Sequence, residues 1–312
     1  MDDCFQILAL DGGGIKGIFS AAVLTHLEED FNIDITDHFD LITGTSTGGI
    51  IALGLGLGMR PREILRFYIE KGPDIFSNGL ITSLRRLWRN KHSSKGLENA
   101  LKDCFGDILL GSSKKRLVIP SYNTGEDDVY LFKTSHHDRL KRDYKVPAWK
   151  VAMATSAAPT YFPSFKQIDL IRLVDGGVWA NNPVVVGIAE AVSMLEVPIN
   201  TIRIFSMGTT DELKARSKKL DNGGLIQWAL SAVDVIMRGQ SIGANTQAVH
   251  LLGVENVFRI DPKVPDGLFK LDCLKEDELL GKAAHESRNL SPFFKEKFMD
   301  HISEKFEPCH KV

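Results

Sequence analysis

The chain has 312 residues, 43% of them hydrophobic and 25% charged, with a formal net charge of −2 at pH 7. That composition supplies the core of one large α/β domain or two ordinary ones, and the near-neutral balance argues against a dedicated DNA- or RNA-binding protein. Four dispersed cysteines (Cys4, Cys104, Cys273 and Cys309) form no C-x-x-C pair. Neither a disulfide framework nor a metal site is expected from them, and reduced thiols suit a cytoplasmic setting.

The N-terminus, Met1-Asp2-Asp3-Cys4, is acidic and runs straight into an apolar segment, so no secretory leader is read. That segment, Phe5–Leu10, predicts a strand; Ser20–Asp30 predicts a helix; Phe39–Thr43 predicts a second strand and Thr47–Leu57 a second helix. The longest apolar stretch, Gly48–Met59, is interrupted by Gly54, Gly56 and Gly58 and is too short to span a bilayer. A membrane substrate would therefore be approached from the aqueous side.

Residues 77 to 113 are basic, dotted with Gly and Ser and only weakly periodic, which predicts a helical excursion over the catalytic face. Strand-like runs follow at Leu117–Tyr122, Val129–Lys133, Leu170–Val174 and Ile202–Met207. Asn182-Pro183 predicts a helix start, with Asn as N-cap and Pro at the first helical position, before apolar residues continue at helical spacing from Val184 to Leu195. From Asp211 onward the chain reads as mostly helical, with Glu276–Phe306 as a closing helix pair. No repeat, low-complexity segment or long linker divides the sequence. The alternation predicts a single domain on a mostly parallel sheet covered on both faces, with a core over about 5–210, a cap over 77–113 and a helical part over 211–312.

Two glycine-framed turns carry the chemistry. Gly44-Thr45-Ser46-Thr47-Gly48 has the G-x-S-x-G spacing of a nucleophile elbow, in which a serine sits on a strained strand-to-helix turn. The segment before it ends in Leu41-Ile42 and the one after begins Ile50-Ile51-Ala52, the context that the motif requires. Gly12-Gly13-Gly14-Ile15-Lys16-Gly17 places glycine N–H groups between a strand and a helix, where they can hold a developing oxyanion.

Each element has a blander reading. Gly12-x-Gly14-x-x-Gly17 also matches a dinucleotide-binding fingerprint, which wants an acidic residue roughly twenty positions on, closing a second strand. Asp34 lies near that distance, but Ile33-Asp34-Ile35 leaves no room for a buried strand. Ser46 could simply cap a helix, and Ser156 and Ser206 are other serines at element ends, read as packing and strand support. For a base, His250 and His285 would follow the Ser, Asp, His order of a triad, yet neither follows a clear strand. Asp175, in Leu173-Val174-Asp175-Gly176-Gly177, ends an apolar run and precedes two glycines, although Asp-Gly is also an ordinary turn pair.

Taken together, Asp11-Gly12-Gly13-Gly14-Ile15-Lys16-Gly17, Gly44-Thr45-Ser46-Thr47-Gly48-Gly49, Ala154-Thr155-Ser156-Ala157-Ala158-Pro159-Thr160-Tyr161-Phe162 and Asp175-Gly176-Gly177-Val178-Trp179-Ala180-Asn181-Asn182-Pro183 resemble patatin-like phospholipases, in that family's order and over roughly Phe5 to Met207. The resemblance implies a three-layer α/β/α fold and lipid acyl-ester hydrolysis with no cofactor for the chemistry. It implies a Ser–Asp dyad, Ser46 as nucleophile and Asp175 as base, served by an oxyanion hole at Gly12, Gly13, Gly14 and Thr47, with Gly17, Gly44, Gly48 and Gly177 as motif glycines. Such a base needs burial to raise its pKa above the usual 3.9 or so of an exposed aspartate.

Within that family the segments Phe5–Asp11 and Phe39–Ile64 resemble bacterial phospholipase effectors of anti-phage defence (CBASS). That likeness implies a cytoplasmic enzyme, switched on by a cyclic dinucleotide such as cGAMP, which acts at the inner face of the membrane, with homo-oligomerisation open. Three basic clusters, Arg85–Lys91, Ser112–Arg116 and Lys214–Lys219, read first as solvated faces. Arg85, Arg86 and Arg89 are the candidate contacts for an anionic regulator or headgroup.

Overall fold

A computed structural model describes residues 4–76, 94–213, 220–222, 224, 228, 232–265 and 276–312. In chain order its regular elements are β1 (Phe5–Leu10), α1 (Gly17–Phe31), β2 (Leu41–Gly44), α2 (Thr47–Gly56), α3 (Pro61–Phe76), α4 (Ser94–Phe105), β3 (Arg116–Asn123), β4 (Asp128–Lys133) and α5 (Ala148–Thr155). There follow β5 (Leu173–Asp175), α6 (Gly177–Ala180), α7 (Val184–Ser193), β6 (Ile202–Met207), β7 (Asp211–Leu213), α8 (Ala232–Leu252), β8 (Val257–Ile260), β9 (Lys263–Pro265) and α9 (Glu276–Phe298).

Among the described residues the main sheet has the strand order β4-β3-β2-β1-β6-β8, and β5 pairs with β3. The β3–β2–β1–β6–β8 pairs are parallel, and β4 and β5 run antiparallel to β3. Residues 116–118 of β3 face β2 and residues 121–123 face β5, while β4 takes up the other edge of β3 from 118 to 123. A strand has only two edges for pairing, so β5 occupies the space beyond the end of β2 and points its last residue, Asp175, back at that end.

The burial pattern explains the layers. Successive side chains of a strand face opposite sides of its sheet. Leu8 and Leu10 of β1 join the larger core, with Ile18, Phe19 and Leu24 of α1, Ile51 of α2, Leu101 of α4 and Phe294 of α9. Ile7 and Ala9 join a smaller core on the other face, with Val184 and Ile188 of α7 and Ala244 and Ala248 of α8. This is the three-layer α/β/α arrangement expected from the alternation, with a mostly parallel sheet.

Four local expectations are corrected. The part past 210, read as mostly helical, also supplies strands among the described residues: β8 ends the strand order of the seven-stranded main sheet, and β7 pairs with β9. The closing helix pair is one helix, α9, which continues through Pro292. Its Phe294 and Phe298 pack on Phe39 and Phe205 beneath the sheet, with centroids 5.2 to 6.5 Å apart. The helix after Asn182-Pro183 begins at Val184, one position later than expected: Pro183 occupies the cap position and the Asn182 side chain accepts the Val184 N–H at 3.0 Å. Finally, residues 94–105 form α4, whose Leu97, Ala100, Leu101 and Phe105 are buried in the larger core; residues 77–93 lie outside the described residues.

Candidate active site

The register of the three central strands brings the two glycine turns to one edge. Leu10 pairs with Gly44 on one side and Met207 on the other, so Asp11 and Thr45 leave the sheet at the same height. The Leu10 carbonyl accepts the Thr45 N–H at 3.1 Å and the Met207 carbonyl accepts the Asp11 N–H at 2.9 Å. Both turns thus open at the carboxyl ends of parallel strands, where open α/β sheets place their ligand crevices.

Ser46 sits between β2 and α2 with φ +55° and ψ −121°, outside the regions that a residue with a side chain ordinarily adopts, a strain of order 1–3 kcal/mol held by its surroundings. Those surroundings explain the flanking glycines. A Cβ on Gly44 would lie 2.2 Å from the Gly48 carbonyl oxygen, and one on Gly48 would lie 2.2 Å from that of Leu10. The chain can double back from strand to helix only because both side chains are missing. The Ser46 N–H is held by the Thr155 hydroxyl oxygen at 3.0 Å, and that hydroxyl donates to the Pro120 carbonyl at 2.6 Å. The Thr45 hydroxyl donates to the Ala180 carbonyl at 2.6 Å, tying the elbow to α6.

Asp175 lies 5% exposed at the end of β5. Its carboxylate accepts the Gly177 N–H at 2.7 Å. Burial raises its pKa to about 6, and that N–H together with the neighbouring Ser46 side chain holds it from rising further. A carboxylate that titrates near neutrality can take a proton and return it. No histidine meets Asp175 among the described residues. His250 is exposed in the last turn of α8, nine residues and roughly 14 Å of helix beyond Ser241, which accepts from the Asn181 side chain. His285 is exposed on α9 beside Asn289. Among the described residues the geometry therefore brings Ser46 and Asp175 together without a histidine beside them. Ser156 is buried at the end of α5 with no partner for its hydroxyl among the described residues, and Ser206 is buried in β6 accepting from Arg259.

The glycine turn divides its labour. The Gly12 N–H donates to the Asn181 carbonyl at 3.0 Å, so it anchors the loop. A Cβ on Gly12 would lie 2.6 Å from Asn181 Oδ1 and 3.2 Å from Ser46 Cβ, so the missing side chain is what lets this loop lie against the serine. Gly13 and Gly14 donate their N–H groups to no acceptor among the described residues. Gly14 has φ +59°, a left-handed conformation that glycine adopts without cost. Thr47 opens α2, so its N–H is among the helix's unpaired first donors, while its side chain is fixed by Tyr68 at 2.5 Å. A Cβ on Gly17 would lie 2.2 Å from Thr47 Oγ1, and one on Gly177 would lie 3.0 Å from Asp175 Oδ1. A serine hydroxyl beside a carboxylate and unpaired N–H donors is the set that acyl transfer from an ester requires.

A family model, described as patatin-like phospholipase, matches residues 8–188. The chain belongs to the patatin-like phospholipase family. It is, with that family, a lipid acyl hydrolase. Among curated proteins it is 34% identical over 267 residues to a cGAMP-activated phospholipase of Pseudomonas aeruginosa, covering 84% of this chain and 80% of that one. It is 32% identical to a cGAMP-activated phospholipase of Vibrio cholerae, covering 83% and 82%, and 34% identical to one of Escherichia coli, spanning 62% of that relative and 66% of this chain. Crystalline VipD from Legionella pneumophila shares the fold, with a TM-score of 0.51 at 12% identity over 95% of this chain and 67% of that one.

Other sequence candidates fall elsewhere. Asp34 caps the short turn Ile35–His38 and pairs with Arg60 at 2.8 Å, so no acid closes a second strand opposite Gly12–Gly17 as a dinucleotide site would need. Arg85, Arg86 and Arg89, and the cluster Lys214–Lys219, lie outside the described residues. The cluster at Ser112–Arg116 is engaged in structure: Lys115 reaches Ser303 at 2.7 Å, and Arg116 donates to the Asp40 carbonyl and lies over the Phe306 ring. Sequence reasoning gave no role to Thr155, which it quoted only within a motif, and missed Arg259, whose one signal is a charge inside the apolar strand Val257–Ile260. Among the described residues no group of His, Cys, Asp and Glu side chains could hold a metal ion, and no helix is long and apolar enough to cross a membrane.

Proposed function

We propose that the chain hydrolyses acyl esters of membrane phospholipids with Ser46 as nucleophile and Asp175 as its base. The observation that carries this reading is Ser46, held at φ +55° on its turn beside the buried Asp175 carboxylate, whose pKa burial raises to about 6. As Ser46 Oγ attacks the ester carbonyl carbon, its proton passes to Asp175. The carbonyl oxygen gains the negative charge and is met by the N–H groups of Gly13, Gly14 and Thr47. Collapse breaks the carbon–oxygen bond, and Asp175 returns the proton to the leaving alcohol. Water then gives its proton to Asp175 and attacks the acyl–serine ester; the bond to Ser46 Oγ breaks, Asp175 returns the proton to that oxygen, and the fatty acid is released. Donors aimed at developing charge contribute about 3–4 kcal/mol each in sites of this kind, enough to offset a base weaker than histidine.

We further propose that a cyclic dinucleotide activates the enzyme, acting on a cytoplasmic protein that then works at the inner membrane face. Support comes from three bacterial relatives at 32–34% identity that are named cGAMP-activated phospholipases. Arg85, Arg86 and Arg89, which lie outside the described residues, remain the candidate regulator contacts. A ligand shifts such an equilibrium only through tighter binding to the active state. The test is fatty-acid release from phospholipid vesicles by purified protein, with and without a panel of cyclic dinucleotides. Hydrolysis that requires one of them supports both proposals; equal activity without any leaves a constitutive lipase; release by Ser46→Ala at the wild-type rate refutes the chemistry.

A further inference from the structure

The loop that carries Gly13 and Gly14 is held from a strand that no site motif includes. Arg259 stands on β8, opposite Ser206 of β6, which in turn is opposite Ala9 of β1. Two sheet spacings, about 10 Å, separate Arg259 from the end of β1, and the guanidinium spans them. Nη1 donates to Ser206 Oγ at 2.8 Å and to Asp11 Oδ1 at 3.2 Å, and Nη2 donates to Asp11 Oδ2 at 2.6 Å and Asp261 Oδ2 at 2.7 Å. Both members of the fork are out of water, with Asp11 4% and Arg259 14% exposed at the side chain. Asp11 is the residue immediately before Gly12, and its own N–H is fixed to Met207.

We propose that Arg259 is a positioning residue for the hydrolysis: by gripping Asp11 through two parallel hydrogen bonds, it sets the direction in which the Gly13 and Gly14 N–H groups point. A bidentate guanidinium–carboxylate pair fixes orientation as well as distance, which a point charge on a lysine cannot do. The fork and the Asn181 carbonyl grip consecutive residues, Asp11 and Gly12, so the peptide entering the glycines has no freedom to swing. Beyond Gly12 the loop is held by Lys16, whose ammonium donates to the Thr210 carbonyl at 3.0 Å. Burial pushes Asp11 up to about 6 even with the guanidinium beside it, so the carboxylate depends on Arg259 to stay charged. Residue 259 lies outside the segment that the family model matches.

This inference rests on the ester-hydrolase reading, and the experiment separates the two. Wild type, Arg259→Gln, Arg259→Lys and Asp11→Asn are reacted with a fluorophosphonate probe, following both the extent and the rate constant of labelling at Ser46, and kcat and KM are measured on a soluble ester. Extent counts folded sites; rate reads how well the phosphonyl oxygen is stabilised. For Arg259→Gln and Asp11→Asn the expected result is full extent, a labelling rate and kcat lower by on the order of 10²-fold, as for loss of one oxyanion donor, and KM within about threefold of wild type. Arg259→Lys recovers only part of the rate, since it restores charge without the fork. Asp11→Asn leaves no buried unpaired carboxylate, so it reports even where Arg259→Gln does not fold. Wild-type rate constants on whatever fraction labels would make Arg259 a merely structural residue and overturn the inference. No labelling of the wild-type chain at Ser46 would overturn the hydrolase reading, and this inference with it.

Discussion

Replacing Asp175 by asparagine should make the protein more stable and nearly inactive, two effects that an ordinary core carboxylate would not combine. Burial lifts Asp175 from 3.8 to about 6. The sign follows directly: the folded state binds this proton more tightly than the unfolded chain, so the charged carboxylate destabilises the fold above pH 6, and that penalty fades as pH falls from 6 toward 4. A shift of about two units at about 1.4 kcal/mol per unit comes to at most about 3 kcal/mol at pH 7.5. An amide removes the charge while keeping its neighbours satisfied, because its oxygen still accepts the Gly177 N–H and its NH2 group can donate to Ser46. With an unfolding entropy of about 2 cal/mol/K per residue, 3 kcal/mol corresponds to a rise in Tm of about 4–5 °C for a chain of this length. Differential scanning calorimetry of wild type and Asp175→Asn at pH 7.5 and at pH 4.5, together with kcat/KM on a soluble ester, makes the comparison. The expected outcome is a higher Tm for the variant at pH 7.5, a gap that shrinks at pH 4.5, and loss of activity by about three orders of magnitude or more. A variant less stable than wild type at pH 7.5, or one that keeps a tenth of the activity, would refute the account of Asp175 as a buried, destabilised base.

Wild-type kcat/KM should fall at least tenfold per unit as pH drops below 6, because protonation removes the base at Asp175 and weakens the Arg259 fork at Asp11, which titrates in the same range; a flat profile down to pH 5 would exclude both carboxylates. Ser46→Ala should abolish turnover, and the double variant Ser46→Ala/Asp175→Asn should be no slower, since nucleophile and base act as one unit; steady-state hydrolysis with a sensitive fluorogenic ester measures it. In Gly13→Val, the new Cβ would lie 2.0 Å from Thr209 Oγ1, so the loop must shift, and kcat should fall more than KM rises. A raised KM with unchanged kcat would show that this loop binds the ground state only.

Much of the site is local, and local features are legible in sequence. The elbow at Gly44–Gly48 and the turn at Gly12–Gly17 are short-range consequences of missing side chains, and β1 and β6 were predicted at their observed bounds because a strand buried on both faces reads as a mainly apolar run. Asp175 was found as the end of such a run. Its partner was not deducible by spacing, because Ser46 meets it only where β5 enters the room left beyond β2, which takes two separate pairings onto β3. The same limit hid Thr155, one hydroxyl among several in its segment, and Arg259, whose charge in an apolar strand marks it as unusual without saying what it reaches. It also made Gly12, Gly13 and Gly14 look like equal donors, when the Asn181 carbonyl takes the first N–H and leaves the other two. The sequence alone determined the α/β/α fold, the nucleophile candidate and the donor loop, since each depends on residue type and near neighbours. Only the tertiary structure decided which carboxylate faces the serine, how far burial lifts its pKa and what holds the loop in place, because those depend on distances that the chain acquires on folding.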